Sequence, residues 1–449
     1  MFENEINKIN KIKIIDKLRS NYLKYENNKS TILSSLNFYF APTAEYYGLY
    51  KILKLSKELK DFSIHKKIIK NILSGIFFSN PEIIKRKKII DYSKVIITWA
   101  SRNNFKKDGS INDRYFNINS KQTKKTLWIV IYLDKFLPSY IKKNLKENII
   151  IYKNNFTLYN LYSYGVFLFK KILFYKNFEL LINNISNYAL FSEKFNEKID
   201  KYLIKNLKYL YMPYEAQPFQ NNIIFNLKEK KTKTKIIGYI RSTPLAFPAN
   251  YIYRKHSPDK IIVNGKDQLD CFVKHLYWPK KIISLKPSVR FLRKNNHKME
   301  NKIFLPLGIN SHEKILNIFK NLIRNHKYDL SNFVIQKHPH STNSRDIINF
   351  EKKLKDLIKQ NSKFKINKIT KNLSVFVGSS GAIIEALERG LYVLQLSQSP
   401  IIETYSSTLF KNILRYKIND NVFSYRLKNK GKIVKLGKIS DNLNYINKI

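Results

Sequence analysis

Two short stretches in the last third of the chain combine residue types that handle phosphate. Lys337-His338-Pro339 follows the apolar run Val334-Ile335-Gln336, and Gly378-Ser379-Ser380-Gly381 follows Val375-Phe376-Val377. A lysine neutralises a phosphate and a histidine donates to one near neutral pH. Two serines add hydroxyl donors to those of the backbone, although a serine at a helix start often does no more than cap it. Pro339 stiffens the exit from its strand. Two acids also stand out among 33. Asp108 lies in Lys107-Asp108-Gly109-Ser110, and Glu215 lies in residues 212–220 (MPYEAQPFQ), an ordered loop bracketed by two prolines. Glu215 could serve as a general base. Asp108 suits a surface Asp-Gly turn. Glu215 equally suits a ligand for an acceptor hydroxyl or a capping group for the chain from Asn221 onward. Asp113 is a reserve acid, with Arg114 as a ready partner.

For these groups to act together, regular elements must bring them to one edge of a sheet. Residues 375–377 read as a buried strand, and Ile383, Ile384, Leu387 and Leu391 then fall near helical spacing. Gly390 is a helix stop, and residues 392–396 form the next strand. Such a parallel strand–turn–helix unit aims a helix N-terminus, with its free N–H groups, at the carboxyl edge of the sheet. Ligands of open α/β sheets bind at that edge. Residues 302–307 begin the same unit, Gly308 lies in its first turn as a second phosphate contact, and Ser311 caps a helix over 312–325. A helix over 347–360 and a strand over 364–369 fill the interval, and residues 400–405 close the sheet. In the first half, residues 93–101, 126–133, 235–239 and 260–265 read as strands. Gly265 opens a helix over 266–276 with Asp267 in its first turn. Residues 142–202 read as mostly helical.

His-Pro at one strand end, followed about forty residues later by Ser-Ser at the next turn, resembles the nucleotide-binding half of bacterial sialyltransferases and polysialyltransferases. It is also similar to capsule Kdo transferases and, more loosely, to CDP-glycerol glycerophosphotransferases. The phrases YEAQPFQ, GYIRST, PDKIIVNG and PSVRF, in that order, resemble a group of bacterial surface-carbohydrate biosynthesis proteins. The resemblance implies a GT-B glycosyltransferase: an α/β chain with two Rossmann-like domains facing across a cleft. It implies transfer of a sugar, such as sialic acid or Kdo, from a nucleotide-activated donor to a surface glycan or lipid acceptor. No metal and no cofactor beyond the nucleotide-sugar substrate are expected, and no Asp-x-Asp cluster is present. On this reading Gly378, Ser379, Ser380 and Gly381 hold the phosphate, His338 donates to the leaving oxygen, and Lys337 adds charge. Glu385, one turn into the helix, accepts a ribose hydroxyl unless it is only a solvated helix position. Asp108 would be the base, although Lys107 stands where these families carry a first acid.

The 449 residues suffice for two domains with real cores. The expected division is a helical N-terminal extension over 1–90, an acceptor domain over 91–295, a nucleotide-sugar domain over 300–420 and a basic tail over 421–449. The polar stretch 292–301 is read as the linker. Of 83 basic residues 13 are Arg, and the formal charge is +50. A Lys-rich surface of this kind attracts anionic lipid and nucleic acid in a salt-dependent way. A nucleic-acid protein is therefore the alternative of another class, but no zinc spacing, RNA-recognition signature or basic recognition helix is present, and no specific nucleic acid is expected. Within enzymes the alternative is transfer of a polyol phosphate from a CDP-linked donor. The single Cys271 excludes a disulfide framework, the N-terminus lacks a signal-type apolar core, and no apolar run is long enough to span a bilayer. The expectation is a soluble cytoplasmic protein, with peripheral attachment to the inner face of the membrane as an open alternative.

Overall fold

The structure is a computed structural model. It describes residues 5–23, 72–86, 92–123, 125–155, 158–174, 181, 184–185, 187–203, 207–241, 244–293, 298–309, 311–326, 328–361, 372–398 and 400–438. The chain is a mixed α/β protein with two large, mainly parallel sheets. In chain order the first part gives β1 (Pro81–Ile84), β2 (Lys94–Ala100), the short antiparallel pair β3 (Asn112–Asp113) and β4 (Ile118–Asn119), β5 (Thr126–Tyr132), β6 (Ile149–Asn154), β7 (Tyr209–Pro213), β8 (Lys235–Tyr239), β9 (Lys260–Val263), β10 (Ile283–Leu285) and β11 (Ser288–Leu292). Eight of these form a sheet in the order β1-β6-β5-β2-β7-β8-β9-β10, with only β1 antiparallel to its neighbour. All seven positions of β5 are buried. Ile96, Trp128 and Val130 pack into one layer, while Val95, Ile97, Leu127 and Ile129 pack into the other. Burial on both faces is why these runs read as nearly continuous apolar stretches.

The second part gives β12 (Lys302–Phe304), β13 (Val334–Gln336), β14 (Leu373–Val377), β15 (Tyr392–Leu396), β16 (Ile413–Asn419), β17 (Val422–Leu427) and β18 (Leu436–Gly437). Six form the second sheet in the order β13-β12-β14-β15-β17-β16. Strands β13, β12, β14 and β15 run parallel, while β16 and β17 form an antiparallel hairpin on the edge. Each sheet reverses its winding once. In the first, β5 and β6 lie to one side of β2 and β7 to β10 to the other. In the second, β13 and β14 flank β12. Crevices at the carboxyl ends of such reversal points are the ligand sites of open α/β sheets.

Several sequence expectations change. The 1–90 extension is not wholly helical among its described residues: the helix Glu5–Leu23 is present, but β1 joins the first sheet. The stretch 142–202 contains β6 as well as helices. Residues 400–405 do not close the sheet: Pro400–Glu403 is a short helix, and β16 and β17 extend the sheet past 420. The expected tail is therefore partly sheet, and β18 returns to pair in parallel with β11. The expected strand over 364–369 lies outside the described residues.

The returning segment ties the two sheets together. Glu388, 4% exposed, accepts N–H bonds from Ile433 (3.1 Å), Val434 (2.9 Å) and Gly431. The Asp267 amide donates to Lys432 O (2.9 Å), and a Cβ on Gly265 would lie 1.7 Å from Ile433 O. Gly265 thus serves close backbone approach as well as opening the helix Lys266–His275. The Asp267 carboxylate accepts from the Asn412 amide (2.7 Å) and side chain (2.6 Å). Tyr405 Oη donates to Pro244 O (3.1 Å), and the buried Lys11 ammonium donates to both Ala246 O (3.2 Å) and Thr404 O. One buried apolar cluster continues from Leu127 through Phe272 and Trp278 to Phe376 and Ile384. Among the described residues, no helix is long and apolar enough to cross a membrane.

Glu388→Ala leaves three N–H groups without their acceptor and should destabilise the protein by roughly 3 kcal/mol. Gly265→Ala should cost a similar amount, of order 1–3 kcal/mol, because Ile433 must move. Urea denaturation measures both. Unchanged midpoints would mean that the returning segment is not anchored there.

Candidate functional site

At the first crevice the polypeptide leaves β2 into residues 101–117. Asp113, 3% exposed, sits at the end of β3. Its carboxylate accepts from the Thr98 hydroxyl, inside β2, and from the Phe116 amide. Burial pushes this carboxyl up to about 6, against the lowering effect of those donors and of Arg241. Arg114, its expected partner, is exposed. Beside Asp113 lies an open groove of about 710 Å³, lined in part by Asn103, Asn104, Asn112, Asn119, Lys106 and Lys121.

Asp108 takes the plainer of its two expected roles. Its carboxylate accepts from the Ser110 amide (2.9 Å) and hydroxyl (2.7 Å) and pairs with Lys121. Gly109 has φ +78°, and a Cβ there would meet Asn144 O at 1.7 Å. The Lys121 and Ser110 hydrogen bonds hold this carboxyl well below the usual range. Those donors disfavour its acting as a base near neutral pH.

Glu215 follows β7, on the other side of the reversal point. The expected proline-bracketed loop is shorter than it looked: Pro213 ends β7, and Pro218 is the first residue of the helix Pro218–Glu229. Gln220 Oε1 accepts from the amides of Glu215 (3.0 Å) and Gln217 (3.1 Å), and Asn250 donates to Glu215 O (3.1 Å). Gln220 and Gln217, not Glu215, cap the helix. Ala216, fully buried, has φ +54°, a conformation that costs energy outside glycine and persists only where surroundings enforce it. On the carboxylate, Oε2 accepts from Gln217 Nε2 (2.8 Å). The side chain is half-buried, and desolvation raises its pKa.

Three further groups gather here. Arg241 follows β8, and its guanidinium stacks on Tyr115 at 4.5 Å. Arg290 lies in β11, whose Val289 amide donates to Tyr239 Oη (3.1 Å) at the end of β8. Its guanidinium is held below the usual range by desolvation and by the charge of Arg241. Desolvation first, then the charge of Glu215, pushes the Tyr115 hydroxyl up to about 12. Glu385 comes from the second part of the chain. It pairs with Arg389 (2.9 Å), which also donates to Leu292 O (3.1 Å) at the end of β11. Glu385 thereby reaches the field of Arg290 and is engaged by arginine.

The second crevice lies between β12 and β14, at the same sheet edge as the end of β13. Gly378 turns with φ +70°, and its carbonyl accepts from Gln395 Nε2 (2.9 Å). Ser379 and Ser380 are half-buried, and Ser380 Oγ accepts from the Ala382 amide (3.2 Å), a capping role. The helix that follows is only Ala382–Glu388, and Gly390 with φ +90° marks its stop. The Pro339–Ser341 turn bends over β12: the Ser341 amide donates to His338 O (2.9 Å), and its hydroxyl reaches Pro306 O (3.5 Å). His338 is half-buried beside this turn. Strand spacing puts the ends of β13 and β14 about 10 Å apart. Lys337 is engaged elsewhere, pairing with Glu351 (3.0 Å), which Lys355 also holds (2.7 Å). A Cβ on Gly308 would meet nothing within 4 Å, so a ligand can approach its backbone. Glu403, unremarked in the sequence, lies 3.8 Å from a Cβ built on Gly378 and accepts from Ser397 (2.7 Å) and the Gln398 amide (2.8 Å). Among the described residues, no three His, Cys, Asp or Glu side chains gather as metal ligands would.

No family model matches this sequence, and no curated protein does. Among solved structures, the chain is similar to the crystal structure of a glycosyltransferase from Rickettsia africae ESF-5. The match has 14% identity and covers 66% of this chain and 77% of that one. Its TM-score of 0.29 is too low to establish a shared fold.

Proposed function

We propose that the protein is a glycosyltransferase that moves a sugar from a nucleotide-activated donor to a glycan acceptor, with a two-domain GT-B arrangement. One observation carries this reading: two parallel sheets each present a reversal-point crevice, one bearing carboxylates and the other His338 and the Ser-Ser turn. Gly378, Ser379, Ser380, Gly381 and Gly308 are assigned to the donor phosphates, and His338 to the leaving phosphate oxygen. Lys337, held by Glu351, is left to fix the His-Pro turn. Glu215 is assigned as the base: it is half-buried, backbone-locked, and raised toward neutrality by desolvation. It takes the proton of the acceptor hydroxyl as that oxygen bonds to the anomeric carbon. The bond from that carbon to the donor phosphate breaks, its electrons go to the phosphate, and the centre inverts. Asp113 positions the 101–117 loop, and the Asn- and Lys-lined groove beside it suits glycan hydroxyls.

A lipid-linked acceptor at an anionic membrane is supported by a separate feature. The helix Leu158–Phe174 starts from the carboxyl edge of the first sheet and leaves eight large apolar side chains exposed, including Leu158 (81%), Phe169 (64%) and Phe174 (77%). With Lys170 also exposed and a formal charge of +50, the face complements anionic lipid.

A panel of CMP, CDP, UDP, GDP and ADP in thermal melts tests the donor site. One nucleotide should raise the melting temperature by mass action. His338→Ala should weaken its binding roughly 10- to 100-fold, the worth of one bond to a charged phosphate. Silence from every nucleotide at millimolar concentration would remove the donor site.

Glu215→Gln should lower kcat by about 10²–10⁴ while leaving the nucleotide shift intact. The base must be ionised, so wild-type kcat/KM should fall as pH drops through a midpoint above the ordinary Glu value of 4.5. That limb should vanish in the variant, whereas Asp108→Asn should stay within about two-fold of wild type. A large loss in Asp108→Asn alone would reassign the base.

For the membrane face, sedimentation with phosphatidylserine vesicles at physiological salt should retain the wild type and release a Phe169→Glu, Leu173→Glu variant. Equal retention of both would leave only diffuse charge attraction.

A further inference from the structure

The geometry points to an oxyanion-binding site formed by Arg241 and Arg290, with a phosphate or carboxylate group of a substrate as the ligand. Arg241 follows β8 and Arg290 lies within β11, 49 positions apart in sequence. The bond from the Val289 amide to Tyr239 Oη seats β11 against the Tyr239 side chain at the end of β8, and Arg290 lies within the field of Arg241. Two guanidinium groups within each other's field repel, and folded proteins ordinarily relieve this with a carboxylate between them.

No such carboxylate is present among the described residues. Neither arginine has an Asp or Glu oxygen within 4 Å, although Lys and Arg side chains elsewhere in the chain do. The acids nearest in field each have donors of their own. Asp113 is held by Thr98 and the Phe116 amide, Glu215 by Gln217, and Glu385 by Arg389. Arg241 contributes only a ring contact, on Tyr115, and its Nε is buried without a hydrogen-bond partner. A buried donor left unmade costs free energy unless a ligand satisfies it. Arg290 stacks loosely on Phe291 at 5.0 Å and keeps an exposed flank, so the pair can be reached from solvent. The ring of Tyr115 fixes the Arg241 plane, and that plane leaves a fork of N–H donors suited to two oxygens of one group.

The site lies beside Glu215, so the reading of Glu215 as the base gives it a meaning: an acidic substrate, bound by its phosphate or carboxylate while its neighbour reacts. Anion binding itself needs neither turnover nor nucleotide, and the two readings can fail separately.

The test is calorimetric titration of the full chain with inorganic pyrophosphate and, separately, with glucuronate, at low ionic strength. At least one anion should bind the wild type. Arg290→Gln and Arg241→Gln should each weaken it by tenfold or more. Preference for pyrophosphate would assign a phosphate, and preference for glucuronate a sugar carboxylate. Arg290→Lys, which retains charge but not the fork, should recover only part of the loss. Melting curves identify any variant that fails to fold. Arg290, with its exposed flank and no bonded partner, is the substitution the fold tolerates best. Binding that survives Arg290→Gln but is lost in His338→Ala would place the anion at the other crevice and overturn the proposal. So would the absence of binding by either anion.

Discussion

A single buried carboxylate holds the architecture in register. Glu388 is taken out of water, and desolvation raises its pKa. Three backbone N–H groups from residues 431–434 offset that cost. The segment it holds presses against Gly265 and continues into β18, so the position of the second sheet relative to β9 and β11 depends on this contact. Glu388 also ends the seven-residue helix that begins at the Ser-Ser turn. Glu385, one turn earlier, engages Arg389 and through it the end of β11. The Ser-Ser turn, the Glu385–Arg389 pair that reaches Leu292 O and the anchoring carboxylate therefore occupy successive turns of one short element. A shift of that helix would move all three.

The two crevices differ in how their charges are managed. At the second sheet Lys337 pairs with Glu351 and Arg389 with Glu385, and the edge also carries the Ser-Ser turn, His338 and Glu403, whose carboxylate accepts from Ser397 and the Gln398 amide. At the first, carboxylates are desolvated and arginines are left without ion pairs. Strained Ala216 and the Gln217–Gln220 bonds fix Glu215 in that setting. Desolvation raises the carboxyl of Glu215, whereas Lys121 and Ser110 hold that of Asp108 low.

Much of the fold was legible because parallel strands buried on both faces leave continuous apolar runs. Val334–Gln336, Lys235–Tyr239 and Tyr392–Leu396 match the sequence reading to the residue. Strand β7 was not legible, since Pro213 at its end mimics a loop; a proline is tolerated there because it sits at the strand terminus. The β16–β17 hairpin was missed because its half-exposed, Lys-bearing pattern reads as a tail. The Ser-Ser turn, the His-Pro turn and Glu215 were visible from residue type, but the relation between Arg241 and Arg290 was not, because it depends on β11 lying against the Tyr239 side chain. One hint was available: in a chain with 70 Lys and 13 Arg, an arginine just after a strand is a selective choice.

The pairing of β11 with β18 also constrains how the protein is made. Strand β11 emerges from the ribosome well over a hundred residues before its partner, at a synthesis rate of roughly 5–20 residues per second. Until then the Gly265 backbone and the Asp267 carboxylate have nothing to bind, and the apolar cluster they border stays open on one side. The β11–β18 pair is thus completed last, although β11 is synthesised before the whole of the second sheet. Nascent chains would spend seconds with this surface uncovered, a window in which chaperone capture and aggregation compete with closure.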